Sequence, residues 1–171
     1  MKKISPKKIC RISLIAALYL ALSVFFAPIA FGNVQMRVSE ALTILPVLSP
    51  LGVPGVTIGC LLANLYGAFT GANILGFMDV FFGTTATFIS AILTRLMRKT
   101  VIKGLPIVPA IPTVIINAIV VGAELSYVTT EKLFSPVFFL YALEVGLGQI
   151  LSCIILGSIL YKALKKANIN I

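Results

Sequence analysis

The 171-residue sequence has no histidine, no tryptophan, three cysteines and five acidic side chains. Each shortage removes a kind of chemistry. Without imidazole, the usual general base near neutral pH and the commonest transition-metal ligand are both missing. Cys10, Cys60 and Cys153 are isolated and odd in number, so they make neither a CxxC metal site nor a disulfide framework. Asp79 is the only aspartate, which excludes the paired aspartates of an intramembrane aspartyl protease. A GxxxxGK[ST] phosphate loop, a G-x-S-x-G elbow and an H-E-x-x-H zinc motif are absent too. No enzyme and no metal site are expected.

Charge is equally scarce, at 11% of residues against 59% hydrophobic, with a mean hydropathy of +1.08. Soluble domains average about 25% charged residues, and disordered chains need low hydrophobicity with high charge. What remains is an all-α integral membrane protein of one domain. At ~20 residues per span, the length admits six transmembrane helices and no soluble nucleotide-binding domain. A net charge of +9 in a soluble protein would suggest nucleic acid. Here the cations cluster beside apolar runs, which indicates orientation in a lipid bilayer instead.

Residues 1–11 carry Lys2, Lys3, Lys7, Lys8 and Arg11, and the next 20 residues, 12–31, are uncharged. That run exceeds the ~7–15 residues of a signal-peptide core, and no A-x-A site follows, so it reads as a retained first span. Further spans are expected at 77–95, 105–125 and 136–161. Residues 41–70 lack charge but are interrupted by Pro46, Pro50, Pro54, Gly52 and Gly55. Under the positive-inside rule, Arg95, Arg98, Lys99 and Lys103 belong with the N-terminal cluster, so an even number of crossings precedes them. Two short spans, 40–50 and 54–70, satisfy this, as does a re-entrant hairpin. With six spans, both termini and the 162–171 tail are cytoplasmic, and twelve of the fourteen cations lie inside.

This topology places all five acids toward the outer face. Glu131 falls in a loop, while Glu40, Asp79, Glu124 and Glu144 each mark one span near the same end. Intramembrane carboxylates are costly and usually face a protein interior or wet cavity, so an outward-opening acidic bowl is expected. The interfacial alternative is that Glu40, Asp79 and Glu124 merely sit at helix ends. Asn64, Asn117 and Gln149 lie roughly 9, 12 and 18 Å below their outer helix ends at ~1.5 Å per residue, either bonding neighbouring helices or flooring a polar pocket. Small residues recur at helical spacing after two of the acids, in Asp79-Gly83-Thr87-Ala91 and Glu144-Gly148-Ser152. Gly55, Gly59, Ala63, Gly67 and Gly71 form a purer small-residue stripe, suited to close helix contact. Ser13, Ala17 and Ala21 form another, for internal packing or for a partner subunit. The loop FGNVQMRVSE holds Gln35, Arg37 and Glu40; it is a candidate lid, and Arg37 is placed to pair with Glu40.

The segment from Gln35 to Pro46, QMRVSEALTILP, followed by Asn64-Leu-Tyr66 and GFMDVFFGTTAT over 76–87, resembles the QueT family. The likeness continues through PTVIINA at 112–118 and the GLGQ stretch ending at Gln149. It implies a six-helix substrate-binding (S) component of an energy-coupling factor (ECF) transporter for queuosine precursors. Such a subunit needs no cofactor of its own; it works with a transmembrane coupling protein and two ATPase subunits that consume ATP. Its site would lie near the outer face of the cytoplasmic membrane, and Ala17 and Ala21 would form the partner-docking AxxxA motif. A deazaguanine offers adjacent ring N–H and amino donors suited to a carboxylate, plus a carbonyl suited to amide donors. Glu144 or Asp79 would take the guanidine-like edge, with Asn64, Asn117 and Gln149 on the other polar atoms. Tyr66 or Phe31 would stack. The rival expectations are a self-sufficient ion-coupled transporter or channel, and a purely structural membrane subunit.

Overall fold

The computed structural model describes residues 5–30 and 36–168. Their architecture is six main helices, α1 Pro6–Phe25, α2 Val38–Leu48, α3 Gly52–Thr70, α4 Phe77–Leu96, α5 Ile107–Thr130 and α6 Pro136–Lys166, with a single helical turn Ala27–Ala30 after α1. Five are long and apolar enough to cross a membrane, and α2 is shorter. No strand occurs among the described residues beyond an isolated Ile102–Leu105 bridge in the α4–α5 turn.

Local chemistry explains where the helices start and stop. Pro6 and Pro136 occupy first turns, where the missing N–H costs nothing and the fixed φ suits a helix. Gly71 ends α3 at φ +70°, a left-handed position that glycine takes without strain. α1 begins within the basic cluster, ahead of the apolar run, and stops at Phe25, and a separate helical turn Ala27–Ala30 containing Pro28 follows. α2 is a 3-10 helix over Val38–Ile44 and turns α-helical only at Leu45–Leu48. α6 carries a π-helical segment at Ile150–Leu156.

Sequential neighbours pack side by side, with α1 against α3, α3 against α4, α4 against α5, and α5 against α6. Small residues set these approaches. A Cβ on Gly59 would stand 2.5 Å from Tyr19 Cβ, and one on Gly55 2.7 Å from Ile15 Cγ2. The α3 stripe therefore serves the α1–α3 contact. At the α5–α6 contact, a Cβ on Gly122 would come within 2.9 Å of Ala142 Cα. Bilayer hydrocarbon supplies no hydrophobic drive between helices, so such close backbone approach carries much of the association.

The 3-10 part of α2 touches α1, α3, α4, α5 and α6, and its residues Ser39–Ile44 are all buried. Ile15, Tyr19, Leu42, Leu45, Val56 and Cys60 form one core on one side of α2. Ile44, Val47, Ala110, Cys153 and Tyr161 form another on the other side. α2 is thus the central post of the bundle. Its C-terminal carbonyls at Pro46 and Val47 accept from Arg95 Nη1 at 3.0 and 3.3 Å, at the far end of α4. Its N-terminal end meets Asp79 at the start of α4. The bundle accordingly has a basic end, carrying Arg95 and the last turn of α6 with Lys165 and Lys166, and an acidic end around Asp79.

Candidate functional site

The acidic end is organised by Arg37, the residue just before α2. Its buried guanidinium forms an ion pair with Asp79, donates to Asn64 Oδ1 at 3.0 Å, and reaches Ala30 O at 3.4 Å through Nε. Asn73, in the α3–α4 turn, donates to the same Asp79 oxygen at 2.7 Å. Asn64 Nδ2 donates to the Asp79 carbonyl at 2.7 Å. One guanidinium and two amides therefore tie together the turn that follows α1, the start of α2, α3, its following turn and α4. Gly83 makes this possible: a Cβ there would overlap Asp79 Oδ1, so the glycine leaves room for the carboxylate to lie back along α4.

A second set joins α1 to α2. Tyr19 Oη donates to Glu40 Oε1 at 2.5 Å, and Ser23 Oγ donates to Ser39 Oγ at 2.8 Å. Arg37 consequently pairs with Asp79 and not with Glu40. The Glu40 side chain turns toward Tyr19 on α1, and the Arg37 guanidinium toward Asp79 on α4. On α6, Cys153 Sγ lies 3.0 Å from Gln149 Oε1 and 3.7 Å from Glu40 O, closing the ring around the central helix.

The remaining sequence candidates are distributed unevenly. Asn117 is buried on α5, and no hydrogen bond links its amide to another described residue. Glu144 is half-buried in the second turn-and-a-half of α6, at the edge of that helix's buried face. Tyr66 is 38% exposed on the outer surface of α3, away from the cluster, so stacking by Tyr66 does not fit this site. Ser13, Ala17 and Ala21 all lie on the exposed side of α1. Of the loop read as a lid, residues 31–35 with Phe31 and Gln35 lie outside the described residues, whereas Arg37, Ser39 and Glu40 are buried at the start of α2.

Tyr19 and Asn73 are site residues that the sequence reading passed over. Tyr19 had a signal, since Ile15, Tyr19 and Ser23 recur every fourth residue along one buried face of α1. Asn73, in a short turn, had none. Glu124 was seen as a helix-end residue because the fifth span was expected to finish at 125. α5 runs on to Thr130, which sets Glu124 six residues, about 9 Å, inside the helix. It is 3% exposed, and neither carboxylate oxygen has a hydrogen-bond partner. Glu40 Oε2, Asp79 Oδ1, Thr113 Oγ1 and Ser152 Oγ are also buried without partners. Among the described residues, no group of three His, Cys, Asp or Glu side chains is placed to hold a metal ion.

Lipid-facing apolar side chains, a shared polar centre and five long apolar helices define a multi-pass membrane protein with a buried polar site at one end. A family model described as QueT transporter matches residues 9–166, and the chain belongs to that family. It is also 34% identical over 77 residues to the queuosine precursor transporter QueT of Lactococcus lactis subsp. cremoris strain MG1363. That match spans 44% of this chain and 45% of the relative's own length. No solved structure matches.

Proposed function

We propose that this protein is the substrate-binding subunit of an ECF-type importer in the cytoplasmic membrane, capturing a queuosine precursor built on a 7-deazaguanine base. The observation that carries this reading is the buried polar constellation at the acidic end, in a chain of the QueT transporter family. Buried polar groups are normally hydrogen-bonded, and in a bilayer protein an intramembrane carboxylate marks a functional pathway. Here Arg37, Asp79, Asn64 and Asn73 bond one another and form a frame, with Asp79 Oδ1 left without a partner. Asn117 retains its hydrogen-bonding capacity, and Gln149 retains its amide N–H groups. These two amides suit the carbonyl and ring nitrogens of the base, and Glu144 its guanidine-like edge. Apolar walls with a few directed polar groups are the usual makeup of a small-molecule site.

The positive-inside rule puts the basic end, with both termini, in the cytoplasm and opens the acidic end outward. The exposed Ser13-Ala17-Ala21 face of α1 serves the transmembrane coupling protein, and two ATPase subunits supply the energy. The chain's own task is then capture and delivery. The protein purified alone in mild detergent should carry a near-stoichiometric deazaguanine by mass spectrometry, or take one up on incubation. Liposomes should accumulate it only when the coupling protein and ATPases are present with ATP. Uptake by this protein alone, driven by an ion gradient, would replace the reading with a secondary transporter. Within the site, Glu144→Gln should weaken binding at least tenfold, or ~1.4 kcal/mol; an unchanged Kd by calorimetry removes Glu144 from the site.

A further inference from the structure

The charge balance at the acidic end leaves two carboxylates without a counter-charge, and one of them without any hydrogen bond. Three carboxylates are buried there, on Glu40, Asp79 and Glu124, against one buried guanidinium, that of Arg37. Asp79 is answered by Arg37 and Asn73, and Glu40 by the Tyr19 hydroxyl. Glu124 has nothing on either oxygen, although it is 3% exposed. Its nearest charged neighbours are those same groups, since Asp79 and Arg37 both act on it electrostatically. Arg37 is already committed to Asp79 and Asn64. Leu125 and Val121, beside it on α5, belong to an apolar cluster with Leu75 and Val145. Removing an ionised carboxylate from water costs several kcal/mol unless a counter-charge and donors compensate it. No side chain among the described residues donates to Glu124, and the one guanidinium nearby is already paired with Asp79.

We infer that Glu124 is the counter-ion for a cationic amino group on the transported ligand, and so sets the protein's preference for a positively charged substrate. This rests on the function proposed above and adds to it the charge of the substrate. The placement along α5 is consistent. Asn117 and Glu124 both lie on the buried side of α5 and are separated by seven residues, about 10 Å of helix rise. A bicyclic base whose arm ends in an ammonium group spans nearly that distance. The base then lies by Asn117, deeper in the bundle, and the arm points back toward the acidic end. An ammonium there receives two acceptor oxygens and reduces the excess of acidic groups at the site.

The test compares two ligands that share the base and differ in the charge of the arm, 7-aminomethyl-7-deazaguanine and 7-cyano-7-deazaguanine. Their Kd values would be measured by calorimetry on the full-length protein in detergent, for wild type, Glu124→Gln and the exposed-loop control Glu131→Gln. Wild type and the control should prefer the aminomethyl compound at least tenfold. Glu124→Gln should abolish that preference while binding the cyano compound within about threefold of wild type. Retained binding of the cyano compound also shows that the variant is folded. A preference that survives Glu124→Gln overturns the assignment while leaving the proposed function intact, as does an equal loss of both ligands from a variant that keeps wild-type thermal stability. Wild-type protein that binds neither compound overturns the proposed function and this inference together.

Discussion

A single guanidinium holds several elements of this molecule in register, and the energetics of buried charge say what its loss does. Arg37 and Asp79 are both removed from solvent, so their pairing offsets desolvation costs that neither side chain bears well alone. Asp79→Asn keeps the shape and an acceptor for Asn73, yet leaves Arg37 charged, buried and without its counter-ion. Breaking one partner of a buried pair typically costs about 3–5 kcal/mol. The variant should therefore melt well below wild type in detergent, as followed by fluorescence-detected size exclusion. Replacing both partners with apolar residues, Arg37→Met with Asp79→Leu, should recover more than half of that loss, because the stranded charge disappears. If the double variant is less stable than Asp79→Asn, Arg37 stabilises the bundle mainly through Asn64 and Ala30 and not through Asp79. Sequence made both residues visible as candidates but not as partners. They lie 42 positions apart, and the nearer acid, Glu40, was the obvious mate until the chain's path turned it toward Tyr19.

Among the helices, α1 shows most clearly how one element serves two surfaces. Its inward side, with Ile15, Tyr19 and Ser23, meets the glycines of α3 and the start of α2. Its outward side, with Ser13, Ala17 and Ala21, faces the membrane. Substitutions on the two sides should fail differently. Gly59→Leu drives a side chain into Tyr19 and should destabilise the isolated protein, by about 1–3 kcal/mol or more, with a matching drop in melting temperature. Ala17→Leu with Ala21→Leu should leave melting and ligand binding unchanged but prevent co-purification with the coupling protein. Loss of stability in the alanine variant would instead assign that face to packing within the chain. The long helices were legible from apolar runs bounded by basic clusters, since a span must bury ~20 residues in hydrocarbon. The small-residue stripe was legible as a contact too, because only residues without bulk permit it. The course of α2 was not. Its prolines and glycines left a short crossing and a re-entrant hairpin equally open, and nothing local says that a broken apolar segment becomes the post around which the other helices stand. The unexpected length of α5 has the same root: uncharged polar residues such as Ser126 and Thr129 look like a helix end. Here they are held in the helix by hydroxyl bonds to backbone carbonyls, Thr129 to Leu125 at 2.8 Å and Thr130 to Ser126 at 2.7 Å.

For the whole molecule, the separation of charge between the two ends is the property that sets its orientation, and the three cysteines make that orientation measurable. Cys60 and Cys153 are buried within the bundle, whereas Cys10 is exposed on α1 between Lys8 and Arg11, at the basic end. A bulky, membrane-impermeant maleimide should therefore react with Cys10 alone in the folded protein. On the proposed orientation, with the basic end in the cytoplasm under the positive-inside rule, Cys10 in intact cells should stay unmodified until the membrane is permeabilised. Glu131 sits at the opposite end of the molecule, exposed where α5 finishes. A Glu131→Cys variant in a Cys10→Ala background should show the reverse pattern, shifting on a gel in intact cells. The two labels together test more than topology. If both residues react from the same side, an even number of crossings separates them in place of the five given by α1 to α5, and the passage of α2 from Asp79 to Arg95 is wrong. If the pattern is clean but inverted, the fold stands and the acidic site opens to the cytoplasm, so the protein would meet its ligand on the delivery side and capture from outside would fail. Only the outward-facing result is compatible with an importer whose binding subunit meets its substrate first and whose ATP-consuming partners work at the basic face.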